Sequence, residues 1–160
     1  MMEQIRTIVG YGVLLVLVLV VYYLATSFAV VVVDEDATYM RPTLEPGGMR
    51  LLDRRRSRLL DLAADDIIVY RAVDSEHRTT RRFGRIAAGP GATVSVREQD
   101  LLVNGSRVTR APSGLETLST GLIVPRNSVF IVLDGSGAPA LPLRERLVPR
   151  RNIIGRMMVK

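Results

Sequence analysis

The sequence predicts a mainly β domain behind a single N-terminal transmembrane helix. Three observations predict it. No charged residue occurs over the 27 positions from Thr7 to Val33, and about 20 apolar residues suffice to span the hydrocarbon core of a bilayer. Past that run the chain is punctuated by Pro46-Gly47-Gly48, Gly89-Pro90-Gly91, Asn104-Gly105, Pro112-Ser113-Gly114 and Gly135-Ser136-Gly137, with short β-branched and apolar runs between them. Asn104-Gly105 also stands between Leu101-Leu102-Val103 and Arg107-Val108, the strongest short-range signal for a tight β-hairpin.

Taken in order, residues 1–5 form a tail, 6–26 a transmembrane anchor and 27–160 the β domain. The block Val13 to Val21 has no polar interruption, and Tyr22 and Tyr23 sit where an interfacial aromatic belt is expected. The run exceeds the ~7–15-residue core of a cleaved secretory signal, so it reads as a retained anchor. Phe28 to Val33 is β-branched and predicts a buried strand. Arg6 precedes the span and Asp34-Glu35-Asp36 follows it, which places the N-terminus in the cytoplasm and the β domain outside it. The basic cluster Arg54-Arg55-Arg56-Ser57-Arg58 pulls the other way, but long domains translocate largely regardless of charge. A helix of one or two turns is predicted around Ser57–Asp61. Strands are predicted at Ile67-Ile68-Val69-Tyr70, Thr93 to Val96, Asp100 to Val103 and Ser128 to Leu133, giving a compact barrel or sandwich. Leu141-Pro142-Leu143 and Pro149 mark a loop before a last strand, Asn152 to Arg156.

Composition removes several chemistries. The chain has 160 residues, 22 basic and 16 acidic, one His and no Cys. It therefore has no disulfide, no thiol nucleophile and no Cys- or His-rich metal site; no cofactor or metal is expected. All basic residues but Lys160 are Arg. The Arg54 to Arg58 cluster lacks interleaved aromatics and sits on an anchored domain, so it reads as a solvated loop or a contact with anionic headgroups rather than a nucleic-acid site.

One stretch organises the rest. Tyr39-Met40-Arg41-Pro42-Thr43-Leu44 follows the apolar segment and precedes a glycine turn. It resembles the first motif of the type I signal peptidases, membrane-anchored Ser/Lys proteases, which reads Ser-Met-x-Pro-Thr-Leu with the serine as nucleophile. Further segments resemble the family in its own order. Asp65-Asp66-Ile67-Ile68-Val69-Tyr70 is similar to its Gly-Asp-Ile-Val strand, and Arg85 to Ala92 to its Lys-Arg-Val-Val-Gly-Leu-Pro-Gly-Asp segment. Leu101 to Gly105 is similar to its Asn-Gly hairpin, Val124 to Phe130 to its Val-Pro-x-Gly-x-Tyr-Phe segment, and Leu147 to Gly155 to its closing strand. The resemblance runs from the anchor to the C-terminus and implies a signal-peptidase-like β domain.

The departures bear on chemistry. Aligned on Pro90-Gly91, the family's catalytic lysine falls on Gly84, its arginine on Arg85 and its closing aspartate on Ala92; its nucleophilic serine falls on Tyr39. The family's Gly-Asp-Asn-Arg box reads Leu133-Asp134-Gly135-Ser136 here, and only Asp134 has a counterpart. A Ser/Lys protease needs a hydroxyl and a neutral amine to take its proton. Arg81, Arg82 and Arg85 cannot replace the lysine, because guanidinium is not deprotonated in proteins. Lys160 lies at the chain end. His77, in a polar loop, is seven residues from Gly84. Thr38 and Thr43 are further hydroxyls without a base. No catalytic residue is therefore assigned, Tyr39 and Gly84 being the degenerate positions. The expectation is a non-catalytic member of the family, anchored in the bacterial inner membrane and acting as a structural or assembly subunit with other membrane proteins. A non-cleaving module for extended peptides, and an active peptidase with an unusual nucleophile, are the alternatives.

Overall fold

The computed structural model describes residues 2–55, 61–73, 78–110, 115, 118, 120–135, 138, 140–158. Helix α1 covers Met2–Ser27. Its Val9–Ser27 stretch of 19 residues is long and apolar enough to cross a membrane; it is exposed as far as Thr26, and Ser27 is buried where it meets the sheet. The strands are β1 (Phe28–Val32), β2 (Met49–Asp53), β3 (Ile67–Val73), β4 (Thr79–Ala88), β5 (Thr93–Arg97), β6 (Asp100–Val103), β7 (Ser106–Arg110), β8 (Leu122–Ile123), β9 (Ser128–Val132), β10 (Leu147–Pro149) and β11 (Ile153–Met157). A short helix α2 spans Leu143–Arg146, and 3-10 turns cover Ala37–Met40 and Arg150–Asn152.

The strands form two antiparallel sheets. One has seven strands in the order β1-β2-β11-β3-β4-β9-β10, the other four in the order β7-β6-β5-β8. The strand and hairpin expectations hold: Asn104 and Gly105 both take positive φ, 51° and 82°, and join β6 to β7. Such a turn matches the twist of the flanking strands. The expectation of a buried strand after the helix needs correction. β1 is the outer strand of its sheet, so only one face meets the core. Val31 and Val33 are buried while Val30 is 67% exposed. The stretch expected as a loop after Leu141 contains α2 and β10. The helix expected around Ser57–Asp61 falls, apart from Asp61, outside the described residues, as do His77 and Lys160.

β1 follows α1 without an intervening residue, so the helix is joined directly to the sheet edge. The backbone N–H of Arg54 donates to the Ser27 carbonyl at 2.9 Å. Arg55 grips the buried Asp53 carboxylate, with Nη2 at 2.7 Å from Oδ2 and Nε at 3.0 Å from Oδ1, and its guanidinium lies 5.0 Å from the centre of the Phe28 ring. Charge pairing and a cation–π contact thus close the junction between anchor and domain.

Three apolar clusters hold the domain. One lies between the large sheet and the 37–44 segment, around Met40, Leu44, Leu52, Val69 and Phe83. A second, around Val94, Leu101, Val124 and Phe130, joins the two sheets. The third, on the other face of the large sheet, gathers Ile68, Tyr70, Ile86, Val129 and Ile131. β3 feeds two of them: Val69 goes to the first and Ile68 and Tyr70 to the third, as the period of two along a strand requires.

Candidate functional site

The site is built on the segment between β1 and β2. Its neck is closed by backbone hydrogen bonds, Val33 N to Gly48 O at 2.9 Å and Gly47 N to Val33 O at 2.8 Å. Within it Met40 and Leu44 are fully buried in the first cluster. These two apolar residues pin the turn to the sheet, and the hydrogen bond from Leu44 N to Met40 O at 3.0 Å ties them together. Tyr39 is held beside β4 as a consequence.

The tyrosine hydroxyl accepts a hydrogen bond from the Phe83 backbone N–H at 3.3 Å. β9 joins the outer edge of β4 only from Arg85 onward, so among the described residues no strand pairs with that edge at Phe83, and the phenol takes its place. Burial pushes the Tyr39 hydroxyl above its ordinary range, because a phenolate would be poorly solvated there. The group is a neutral hydrogen-bonding partner at physiological pH.

Gly84 follows Phe83 on β4 and faces the third cluster. A Cβ placed on it would lie 2.9 Å from Ile131 Cδ1, 3.3 Å from Ile131 Cβ and 3.5 Å from Tyr70 Cε1. The space beside the base position is filled by an isoleucine and a tyrosine. The structure thus brings together the two positions singled out from the sequence, Tyr39 and Gly84, through a contact between Tyr39 and Phe83 that spans 44 residues, and puts a phenol and apolar carbon there.

The other polar residues near the turn are committed to one clamp. Asp134 receives Arg85 Nε at 2.8 Å, Arg85 Nη2 at 2.6 Å and the Thr43 hydroxyl at 2.5 Å. Arg85 Nη2 also donates to Thr43 Oγ1 at 3.0 Å, and Nη1 donates to the Asp65 carbonyl at 3.2 Å. The carboxylate beside it pushes the Arg85 guanidinium further into its charged range. Gly135 lies flat on the turn: its N–H donates to Tyr39 O at 2.8 Å, and a Cβ there would sit 2.9 Å from the Tyr39 carbonyl carbon and oxygen. Backbone cannot yield as a side chain can, so this position excludes any larger residue.

Thr43 is therefore a structural hydroxyl, and Thr38 is exposed. Arg81 pairs with Asp34 at 2.9 Å and Arg82 with Glu145 at 3.3 Å, so neither approaches the site as a base. Among the described residues no three His, Cys, Asp or Glu gather as a metal site. Sequence reasoning missed Tyr70 and Ile131 as the groups that fill the space at Gly84, and Gly135 as the residue that seats Tyr39. Their only signal was membership of β3, β9 and the loop after β9.

Compared with known proteins, residues 8–135 match the family described as signal peptidase, peptidase S26. Among solved structures the chain is similar to a signal peptidase I from Enterococcus faecalis V583. The identity is 18%, the match covers 59% of this chain and 95% of that one, and the TM-score is 0.41. No curated protein matches.

Proposed function

Because the chain belongs to the signal peptidase (peptidase S26) family, we propose that it is a catalytically silent member that serves as a structural or assembly subunit of a membrane protein complex. One observation carries this reading. At the nucleophile position a half-buried phenol is hydrogen-bonded to the Phe83 N–H, and beside the base position Ile131 and Tyr70 occupy the space. A nucleophile and its base act as a unit, and removal of either takes most of the rate. The one lysine of the sequence is Lys160. Asp134 is bound by Arg85 and Thr43, which leaves it committed to the fold.

What remains is an anchor joined directly to a β domain, which suits a part that positions other proteins at a membrane. Purification of the full chain in mild detergent tests the reading: stoichiometric co-purification with defined membrane subunits is expected, together with no processing of a pre-protein. Turnover by the native protein that vanishes in Tyr39→Phe would overturn it and favour an active peptidase with a tyrosine nucleophile.

A specific observation favours a second reading, a non-cleaving module for extended peptides. The outer edge of β4 before Phe83 has no partner strand among the described residues, and a free edge can accept a peptide by strand addition. Saturable binding of a signal-peptide sequence without cleavage, in place of co-purifying subunits, is the result that selects it.

The location belongs to the same proposal: a single pass through the bacterial inner membrane with the β domain outside the cytoplasm. Arg6 before the span and Asp34-Glu35-Asp36 after it support this orientation. Arg55, beside the helix end, is neutralised by Asp53. External protease added to spheroplasts is expected to digest the domain; complete protection refutes the orientation.

A further inference from the structure

On the β10 side of the large sheet a cleft of about 470 Å³ opens between β3, the first half of β4 and the α2–β10 segment. Its polar lining is Tyr70, Arg71, Arg82, Arg144, Glu145 and Asn152, and β10 supplies an aliphatic wall. Arg82 and Arg144 flank one glutamate there. Several arginines of this sheet are neutralised in place: Arg81, Arg82, Arg85 and Arg156 each pair with a carboxylate. Arg144 has no such pairing among the described residues.

Further positive charge stands behind the cleft. Arg146 is fully buried, with its Nε donating to the Leu141 carbonyl at 3.1 Å, and its charge acts on Tyr70. Tyr70 is itself buried, at 3% exposure, and burial holds its hydroxyl in the neutral, proton-donating form. A concave wall that combines an unpaired guanidinium group, a phenolic donor and an amide concentrates positive potential where donors converge. Guanidinium forks fit the two oxygens of a carboxylate or phosphate.

We propose that this cleft is an oxyanion-binding site, which takes the phosphate or carboxylate group of a ligand whose apolar part lies along β10. Arg144 binds the oxygens directly. Arg82 turns from Glu145 toward the anion or holds Glu145 out of its way, and the Tyr70 hydroxyl and Asn152 amide complete the donor set. The site lies apart from the Thr43–Arg85–Asp134 clamp and does not depend on whether the protein cleaves peptides. The anion is either a free phosphate-bearing small molecule or the headgroup of an anionic lipid, and both meet the same donors.

The test uses the full chain in nanodiscs, with thermal unfolding as readout and ionic strength matched by chloride. In neutral-lipid discs, inorganic phosphate is expected to raise the melting temperature saturably if the ligand is free in solution. If the ligand is a headgroup, discs containing phosphatidylglycerol raise it instead, with no phosphate response in neutral discs. In either case Arg144→Glu is expected to abolish the shift and Arg126→Gln, on the loop before β9, to leave it intact. Tyr70→Phe keeps the packing and removes one donor, so it reports on the site even if a charge reversal disturbs folding. No saturable shift in either disc, or a shift undiminished in both Arg144→Glu and Tyr70→Phe, overturns the proposal.

Discussion

Rebuilding a serine and a lysine at the two motif positions, Tyr39→Ser with Gly84→Lys, is expected to yield at most weak cleavage, and its cost can be worked from the structure. The new Cβ at residue 84 meets Ile131 Cδ1 at 2.9 Å and Ile131 Cβ at 3.3 Å, and Ile131 is fully buried. Overpacking of this kind costs about 1–3 kcal/mol. Tyr39→Ser removes a half-buried ring and leaves the Phe83 N–H without its acceptor, about 1 kcal/mol for the hydrogen bond alone. Together these remove roughly 2–4 kcal/mol, a large share of the ~5–15 kcal/mol that holds a domain folded. The amine would also lack an orienting partner, because Asp134 is already bound by Arg85 and Thr43. The packing part is isolated by a cycle of Gly84→Ala with Ile131→Val, which trims the clashing methyl. The two changes should couple favourably by more than about 0.5 kcal/mol, the range typical of residues in contact. Urea denaturation gives the stabilities, and pre-protein processing on gels gives the activity. Full stability of Gly84→Ala would refute the filled-space argument. Brisk cleavage by the double variant would refute the orientation argument.

Three further outcomes follow from other parts of the fold. Asp134→Ala should lower stability by about 2–4 kcal/mol by leaving the partly buried Arg85 with only the exposed Asp65 carboxylate, 3.9 Å away, whereas Arg85→Met with Asp134→Leu should recover most of it; urea midpoints decide, and equal losses in both would refute the clamp. Gly105→Val should cost about 1–2 kcal/mol, because φ of +82° strains a β-branched residue although the surrounding space is open; unchanged stability would refute the hairpin assignment. The Arg55 guanidinium lowers the Asp53 carboxyl below its ordinary value, so its contribution is present above the usual aspartate pKa of about 3.9 and is lost as pH falls through the depressed folded value. Urea midpoints taken from pH 5 downward should fall less steeply in Asp53→Asn than in the native chain, and parallel curves would count against the coupling.

Elements whose signal is local were legible in the amino-acid order alone. The uncharged run from Thr7 specifies α1, Asn104-Gly105 specifies the β6–β7 hairpin, and the β-branched runs at 67–70 and 128–132 specify two interior strands. In each case the residues that decide the conformation adjoin one another. Ordered motifs also made the family legible, because Met40, Pro42, Thr43 and Leu44 stand together. β2 and the first half of β4 were not legible: Met49-Arg50-Leu51-Leu52-Asp53 and Thr79-Thr80-Arg81-Arg82 carry charges that weaken the strand pattern. Those charges are accommodated by partners outside the strands, Asp53 by Arg55, Arg81 by Asp34 and Arg82 by Glu145. β1 reads as a core strand and proves to be an edge, because strand order is a property of the assembled sheet. The site followed the same division. Tyr39 and Gly84 could be named from the family resemblance, but what packs against Gly84 could not. Phe83 lies 44 residues from Tyr39, and Asp134 lies 91 from Thr43. Hydrogen bonding and packing across such separations arise when strands pair and close a core, and it is that closure which sets an isoleucine and a tyrosine against Gly84.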